Sequence, residues 1–315
     1  MPQTKQYVLA VPNFSNGQDK EIIDQITGQI KDIPGVSLIS VDPEQDFNRT
    51  VVTLIGEPQP LKKALVRMGA KASELIDMRI QKGTHPRIGA EDTLPIFPFR
   101  NITMEECVVL AEEIGKEFFE ATKVPVYFAG ENARTQARTS FAFLRKGQYE
   151  GLRQLLLDTR NDPYRREEYD AHKPDLSTNG LLSESAGATI VSCEANGLTA
   201  YNIFLATEEL GIAKEIARAV RGPSGGFSTI RAVGVKFPEH KGVVVSMNMF
   251  QCIDTPIPRV FEFVKREAAH FGVAVTGSQL VGPIKLDAIV QSFVYSLGLE
   301  DFRWNQILET HLMDL

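Results

Sequence analysis

Apolar positions along the chain follow two alternating periods. YVLAV (7–11), VSLISV (36–41), VVTLIG (51–56) and TLPIFPF (93–99) are apolar runs of strand length. Between them, Ile22, Ile23, Ile26, Ile30 and Ile33 recur at helical spacing, and so do Leu61, Leu65, Met68, Ala72, Leu75 and Ile76. The pattern predicts strand-helix-strand-strand-helix-strand, with the polar DPEQDFNR as the turn between the middle strands.

The same succession returns later. AYNIFLA (200–206), STIRAVGV (228–235), GVVVSMNM (242–249) and VAVTG (273–277) read as strands, with PEHK as the hairpin turn. Leu210, Ala213, Ile216, Ala217 and Val220 mark one helix; Val260, Phe261, Val264, Ala268 and Phe271 mark the other. Two β-α-β-β-α-β successions predict an α/β (α+β) chain of two ferredoxin-like, open-faced sandwiches with a ligand cleft between them. An additional helix (103–121), a strand at VPVYFA (124–129) and a helical stretch (133–158) lie between the two. The polar passage 158–187 follows, long enough to be a functional loop. The expected division is 1–180, 181–300 and a helical tail 301–315 carrying Trp304, Ile307, Leu308 and Leu312.

Composition narrows the class. A chain of 315 residues has room for two small domains, and a net charge of −6 disfavours broad binding to nucleic acid or an anionic membrane. The cysteines, Cys107, Cys193 and Cys252, form no CxxC pair or Cys/His cluster, which argues against a disulfide framework or a structural zinc. MPQTKQYVLAVPNFS lacks the apolar core of a signal peptide, and no apolar run reaches the roughly 18 residues of a membrane span. A cytoplasmic protein is expected.

Few motifs carry chemistry. RGPSGG (221–226) follows a helix, so its glycines read as a C-cap and turn. His172, His240, His270 and His311 have polar or terminal contexts, and without HxxxH or HExxH no metal is expected. His85, in KGTHPRIGAED, is different. Pro86 biases it towards extended backbone, Gly83 and Gly89 allow close approach of a ligand, and Arg87, Glu91 and Asp92 bring charge. Such a loop suits a general base, although a loop histidine bonded to backbone fits the same residues. In VPNFSNG (11–17), Asn13, Ser15 and Asn16 either cap the first helix or present donors to an anionic substrate.

VPNFSNGQDKEIIDQI, DFNRTVVTLIGEP, KGTHPRIGAEDTLPIFP, VPVYFAGENARTQAR, LRKGQYEGL and VAVTGSQLVG, in this order, resemble the glutamate formimidoyltransferase (formiminotransferase) family over nearly the whole chain. The resemblance implies transfer of a formimidoyl group from N-formimidoyl-L-glutamate to tetrahydrofolate as co-substrate, in histidine breakdown, by a homodimer. It implies His85 as the catalytic histidine and Asp42 as the family's strand-end aspartate. Its folate-binding loop corresponds to 174–187, with Pro174, Asp175, Leu176, Ser177, Thr178, Asn179 and Gly180 at its start and Gly187 at its end. This chain departs from the family at PDLSTNG, at SCEANG (192–197) and at Phe47, where a histidine is usual. These departures are expected on the folate side, away from His85.

For such a reaction, a neutral imidazole takes the attacking amine's proton and returns it to the departing nitrogen. Asp42 and Asp92 are candidates for stabilising a cationic formimidoyl group, and Arg49 and Arg87 for holding the substrate carboxylates. Asn13 joins them as a substrate-binding candidate. Two alternatives stay open: a 5-formyltetrahydrofolate:glutamate formyltransferase, and a folate- or glutamate-binding protein without catalysis.

Overall fold

The computed structural model describes residues 5–195, 199–237, 242–250 and 252–312. The PEHK turn with His240, the end of SCEANG and the first four residues lie outside them. The chain divides into two compact units, Met1–Ala195 and Asn196–Leu315.

In the first unit the opening strand is broken into β1 (Tyr7–Ala10) and β2 (Asn13–Phe14) around Pro12. Helix α1 (Lys20–Thr27) follows, with the Asp19 side chain accepting from the Glu21 and Ile22 amides. Asp19 therefore caps α1 instead of Ser15 or Asn16. Strands β3 (Val36–Glu44) and β4 (Arg49–Gly56) form the expected hairpin, and α2 (Pro58–Leu75) leads to β5 (Glu91–Arg100). The sheet runs β3-β4-(β1/β2)-β5, all antiparallel.

This sheet then extends. Helix α3 (Met104–Thr122), opened by a capping box between Thr103 and Glu106, leads to β6 (Val126–Gly130). A further strand, β7 (Thr189–Cys193), runs parallel between β5 and β6. It was not expected from the sequence: every residue of TIVSC is buried, so it lacks the polar-apolar alternation of a half-exposed strand. Because β7 pairs in the first sheet, that unit continues beyond the expected boundary at 180. The helical stretch 133–158 is also broken, into α4 (Phe141–Leu144) and α5 (Gln148–Thr159). Gly147 (φ 83°) and Gln148 (φ 59°) make the break, and α6 (Arg166–His172) lies inside the polar passage.

The second unit holds β8 (Thr199–Leu205), α7 (Leu210–Val220), β9 (Ile230–Phe237), β10 (Gly242–Met249), α8 (Ile257–His270) and β11 (Val275–Val281). Its sheet order, β11-β8-β10-β9, places the strands as β5, β1/β2, β4 and β3 are placed in the first unit. Helix α9 (Leu286–Leu297) follows and was not expected from the sequence, although Leu286, Ile289, Val290, Phe293, Val294 and Leu297 share one apolar face at helical spacing. The expected tail helix is two short 3-10 turns, with Trp304 and Leu308 exposed. Among the described residues no helix is long and apolar enough to cross a membrane.

One core residue stands apart. Glu91 is fully buried, its methylenes face the Gly69 and Phe118 positions of α2 and α3, and neither carboxyl oxygen has a partner. Burial, and then the charge of Asp92, push its pKa well up. Folded Glu91 thus keeps its proton while the unfolded chain releases it, so its contribution to stability falls as pH rises above the ordinary carboxylate range. Glu91→Met is expected to stabilise the protein by about 1–3 kcal/mol near neutral pH by removing the unsatisfied group. Thermal unfolding across pH checks this; the gain should shrink towards about pH 4–5.

Candidate active site

The residues around His85 are held by three neighbouring segments. The hairpin turn between β3 and β4 supplies the first. Asn48, at φ 49°, accepts from the Gly17 amide through Oδ1 (3.0 Å) and donates through Nδ2 to the Lys82 carbonyl (2.7 Å). Gln81 donates to the Asn48 carbonyl and Thr84 to the Asp46 carbonyl (3.0 Å). Gly83 lies so close that a Cβ there would sit 2.2 Å from the Phe47 carbonyl oxygen.

The second segment is 183–188. The Ala188 amide donates to the Ile88 carbonyl (3.1 Å) and the Ala90 amide to the Ala186 carbonyl (2.9 Å). Gly187, at φ 70°, could carry no side chain: its Cβ would meet the Ile88 carbonyl oxygen at 2.2 Å. The third is the turn from α4 into α5, where the Tyr149 amide donates to the Arg87 carbonyl (2.8 Å).

A bulge in β5 aims the acids. Phe14 pairs with Glu91 while Asn13 pairs with Thr93, leaving Asp92 as the extra residue. Glu91 thereby faces the helices. Asp92, 1% exposed, accepts from the Ile88 amide (2.7 Å) and pairs with Arg145. Asp92 is thus a brace of the loop, with both recorded interactions inside the protein.

His85 itself is half-buried. Arg49 reaches it: one terminal nitrogen lies 2.6 Å from His85 Nε2 and the other donates to Glu44 (2.8 Å). A guanidinium has only donors, so Nε2 accepts and, in the neutral ring, the proton rests on Nδ1. Burial and the charges of Arg49 and Arg145 lower the imidazole pKa to about 4, opposed by Asp92. The ring is uncharged at neutral pH, but Arg49 engages its Nε2 lone pair.

The remaining sequence-derived residues divide clearly. Arg87 uses all five of its donors, on Gln81, Gln148 and Glu150, and is 5% exposed; it has none left for a substrate carboxylate. Hydrogen bonds from its guanidinium, opposed by burial and helped by a backbone hydrogen bond and by Lys82, hold the Glu150 carboxyl down at about 2. By strand register, Asn13, Val51 and Asp42 share one sheet face, with Arg49 and Glu44 two residues along. Asn13 donates to the Val11 carbonyl and Asp42 accepts from Ser40 (2.7 Å). The Ser15, Asn16 and Gly17 amides are each bonded within the protein, so this junction offers none of them to an anion.

Of the expected folate segment, Gly187 lies against the His85 loop, whereas 174–180 lies at the β6 edge. Leu176 bridges to Val126, and Asp175 pairs with buried Arg138 (2.8 Å) and accepts from the Phe128 amide. Ser177 accepts from the Gly180 amide, Asn179 from the Leu181 amide, and Tyr169 donates to the Gly180 carbonyl. Pro174 and Thr178 belong to the same short stretch. Segment 174–188 thus borders the N-terminal ends of β6 and β7, the sheet end from which β5 also starts. One departure from the family does not lie where it was expected: the Phe47 ring sits 5.9 Å from the His85 ring.

Sequence reasoning missed Arg145, Glu44, Gln81, Gln148 and Glu150 as neighbours of this loop. LRKGQYEGL contains three of them, yet nothing in its spacing ties it to a loop about sixty residues earlier, as the Arg87 bonds to Gln148 and Glu150 do. Among the described residues, no group of three or more His, Cys, Asp or Glu side chains is arranged to hold a metal ion.

Comparisons with known proteins cover both units. Residues 7–194 match the family model described as "Formiminotransferase domain, N-terminal subdomain", and residues 200–308 match "Formiminotransferase domain". The chain is 35% identical to a glutamate formimidoyltransferase of Streptococcus pyogenes, covering 97% of this chain and 98% of that one. It is 33% identical to a glutamate formimidoyltransferase of Thermoplasma acidophilum over 96% of each chain. A formimidoyltransferase-cyclodeaminase of Mus musculus is 36% identical over 92% of this chain, which spans 52% of that longer protein.

Proposed function

Because the chain belongs to the formiminotransferase family, we propose that it transfers the formimidoyl group of N-formimidoyl-L-glutamate to tetrahydrofolate, with His85 as general acid and base. The observation that carries this reading is an uncharged imidazole, fixed by three segments and flanked by guanidinium groups, in a transferase of this family. The ring nitrogen of the reduced folate attacks the formimidoyl carbon. His85 takes the proton released from that nitrogen and delivers it to the departing glutamate nitrogen, so L-glutamate leaves as the amine. Asp42 is the carboxylate assigned to the cationic formimidoyl group and Asn13 its neighbour on the same face. Arg49 is assigned to a substrate carboxylate.

Segment 174–187 is assigned to the folate, because its Gly187 end is bonded beside the histidine loop. The same reading has the enzyme act as a cytoplasmic homodimer in one-carbon folate metabolism and histidine breakdown.

Two assays test this. N-formimidoyl-L-glutamate with tetrahydrofolate is expected to give turnover well above that of 5-formyltetrahydrofolate with glutamate; the reverse order overturns the assignment. The pH profile is the second. A base must be unprotonated, so kcat/KM should fall only as pH drops towards about 4, below the ordinary histidine value of ~6.5. Arg49→Met removes a positive neighbour and should move that acid limb upwards. A wild-type limb at the ordinary value contradicts the assigned environment.

A further inference from the structure

Two buried guanidinium nitrogens near His85 have no partner, Nε of Arg49 and Nε of Arg145. Both are donors, and Arg49 also donates to Nε2 of His85. Buried donors left open within a bonded loop mark a place where an acceptor is missing. Arg145 is held by Asp92, its side chain stays 18% exposed, and its charge acts on His85. Arg87, by contrast, has no donor left.

We infer that Arg145, together with Arg49, recognises the carboxylate adjacent to the reacting nitrogen, making Arg145 the residue that specifies an α-amino-acid donor. The inference rests on the proposed reaction and names the part of the substrate this pair reads. Glutamate has two carboxylates, but only the α-carboxylate sits next to the nitrogen that leaves, and therefore next to His85.

A consequence follows for the base. A carboxylate is a stronger acceptor for a guanidinium than a neutral imidazole is. When the α-carboxylate arrives, Arg49 exchanges His85 for the ligand, and the Nε2 lone pair becomes free to accept a proton. The substrate's own carboxylate thus releases the base.

Calorimetric binding of L-glutamate and of 4-aminobutyrate, which lacks only the α-carboxylate, tests this. Wild type is expected to bind glutamate at least about tenfold tighter, a difference of roughly 1.4 kcal/mol. Arg145→Gln should bring the two affinities together. Arg145→Lys keeps a charge against Asp92 but loses the Nε donor; it should narrow the gap even if the glutamine variant does not fold. Equal wild-type affinities, or an unchanged gap in either folded variant, overturn the inference. Turnover is measured separately: a wild type that discriminates the ligands but transfers no formimidoyl group counts against the proposed reaction and leaves the carboxylate site standing.

Discussion

Replacing His85 with alanine or glutamine is expected to lower the rate of formimidoyl transfer by about 10²–10⁴-fold, the usual cost of losing a general acid/base. Several features make this the largest effect on activity. Two proton movements, out of the attacking amine and into the leaving amine, fall to one ring. Its neighbours Arg49 and Arg145 are guanidiniums, which do not deprotonate near neutral pH and cannot substitute as bases. Binding should survive, since the loop is fastened by Gln81, Thr84, Ile88 and Ala90 and not by the imidazole. The comparison of kcat with folate and glutamate affinities checks this. A loss confined to KM would indicate a binding role instead.

Asp92→Ala is expected to have the largest effect on stability, about 3–5 kcal/mol, as when one partner of a buried ion pair is removed. Asp92 is 1% exposed, and its carboxylate satisfies both the Ile88 amide and Arg145. Alanine leaves an amide and a guanidinium without their acceptor beside a core that already holds the unpaired Glu91. Asp92→Asn keeps an oxygen for Ile88 but sets an amide NH2 against the donor-only Arg145 guanidinium, so it should recover the Ile88 bond alone and cost somewhat less than alanine. Urea unfolding of both variants measures the difference; equal and small losses would show that the pair contributes little. The direction is opposite to that of Glu91→Met, although the residues are adjacent. The bulge in β5 turns one acid into the apolar core and the other towards its partners.

Much of the fold was legible in the sequence. The isoleucines of α1 and the leucine stripe of α2 announced helices that bury those faces, and the hairpin of β3 and β4 followed from two apolar runs around DPEQDFNR. Two elements escaped, and only the strand lacks contrast between its faces. TIVSC is buried on both sides, whereas LDAIVQSFVYSL does carry an apolar stripe, bounded by Asp287, Gln291, Ser292 and Ser296, that the strand-by-strand reading passed over. Reading a polar passage as a uniform loop also concealed α6 and placed a boundary before β7.

The site was legible in its centre but not in its surroundings. KGTHPRIGAED contains His85, the bracing Asp92 and the close-packed Gly83, all within one stretch. Charge alone could not separate Arg49, which touches the ring, from Arg87, which is fully occupied elsewhere. That distinction depends on Glu150 and Gln148, residues far along the chain. Phe47 was likewise assigned to the wrong side of the site, because a turn residue can reach a distant loop only through the fold.

The most direct measurement of the central claim is product analysis by mass spectrometry after mixing the protein with N-formimidoyl-L-glutamate and tetrahydrofolate. Formimidoyl transfer predicts free glutamate and formimidoyl-tetrahydrofolate in equal amounts, both dependent on the folate and both strongly reduced in His85→Ala. Glutamate released equally well without folate, or no product with the wild-type protein, would contradict it.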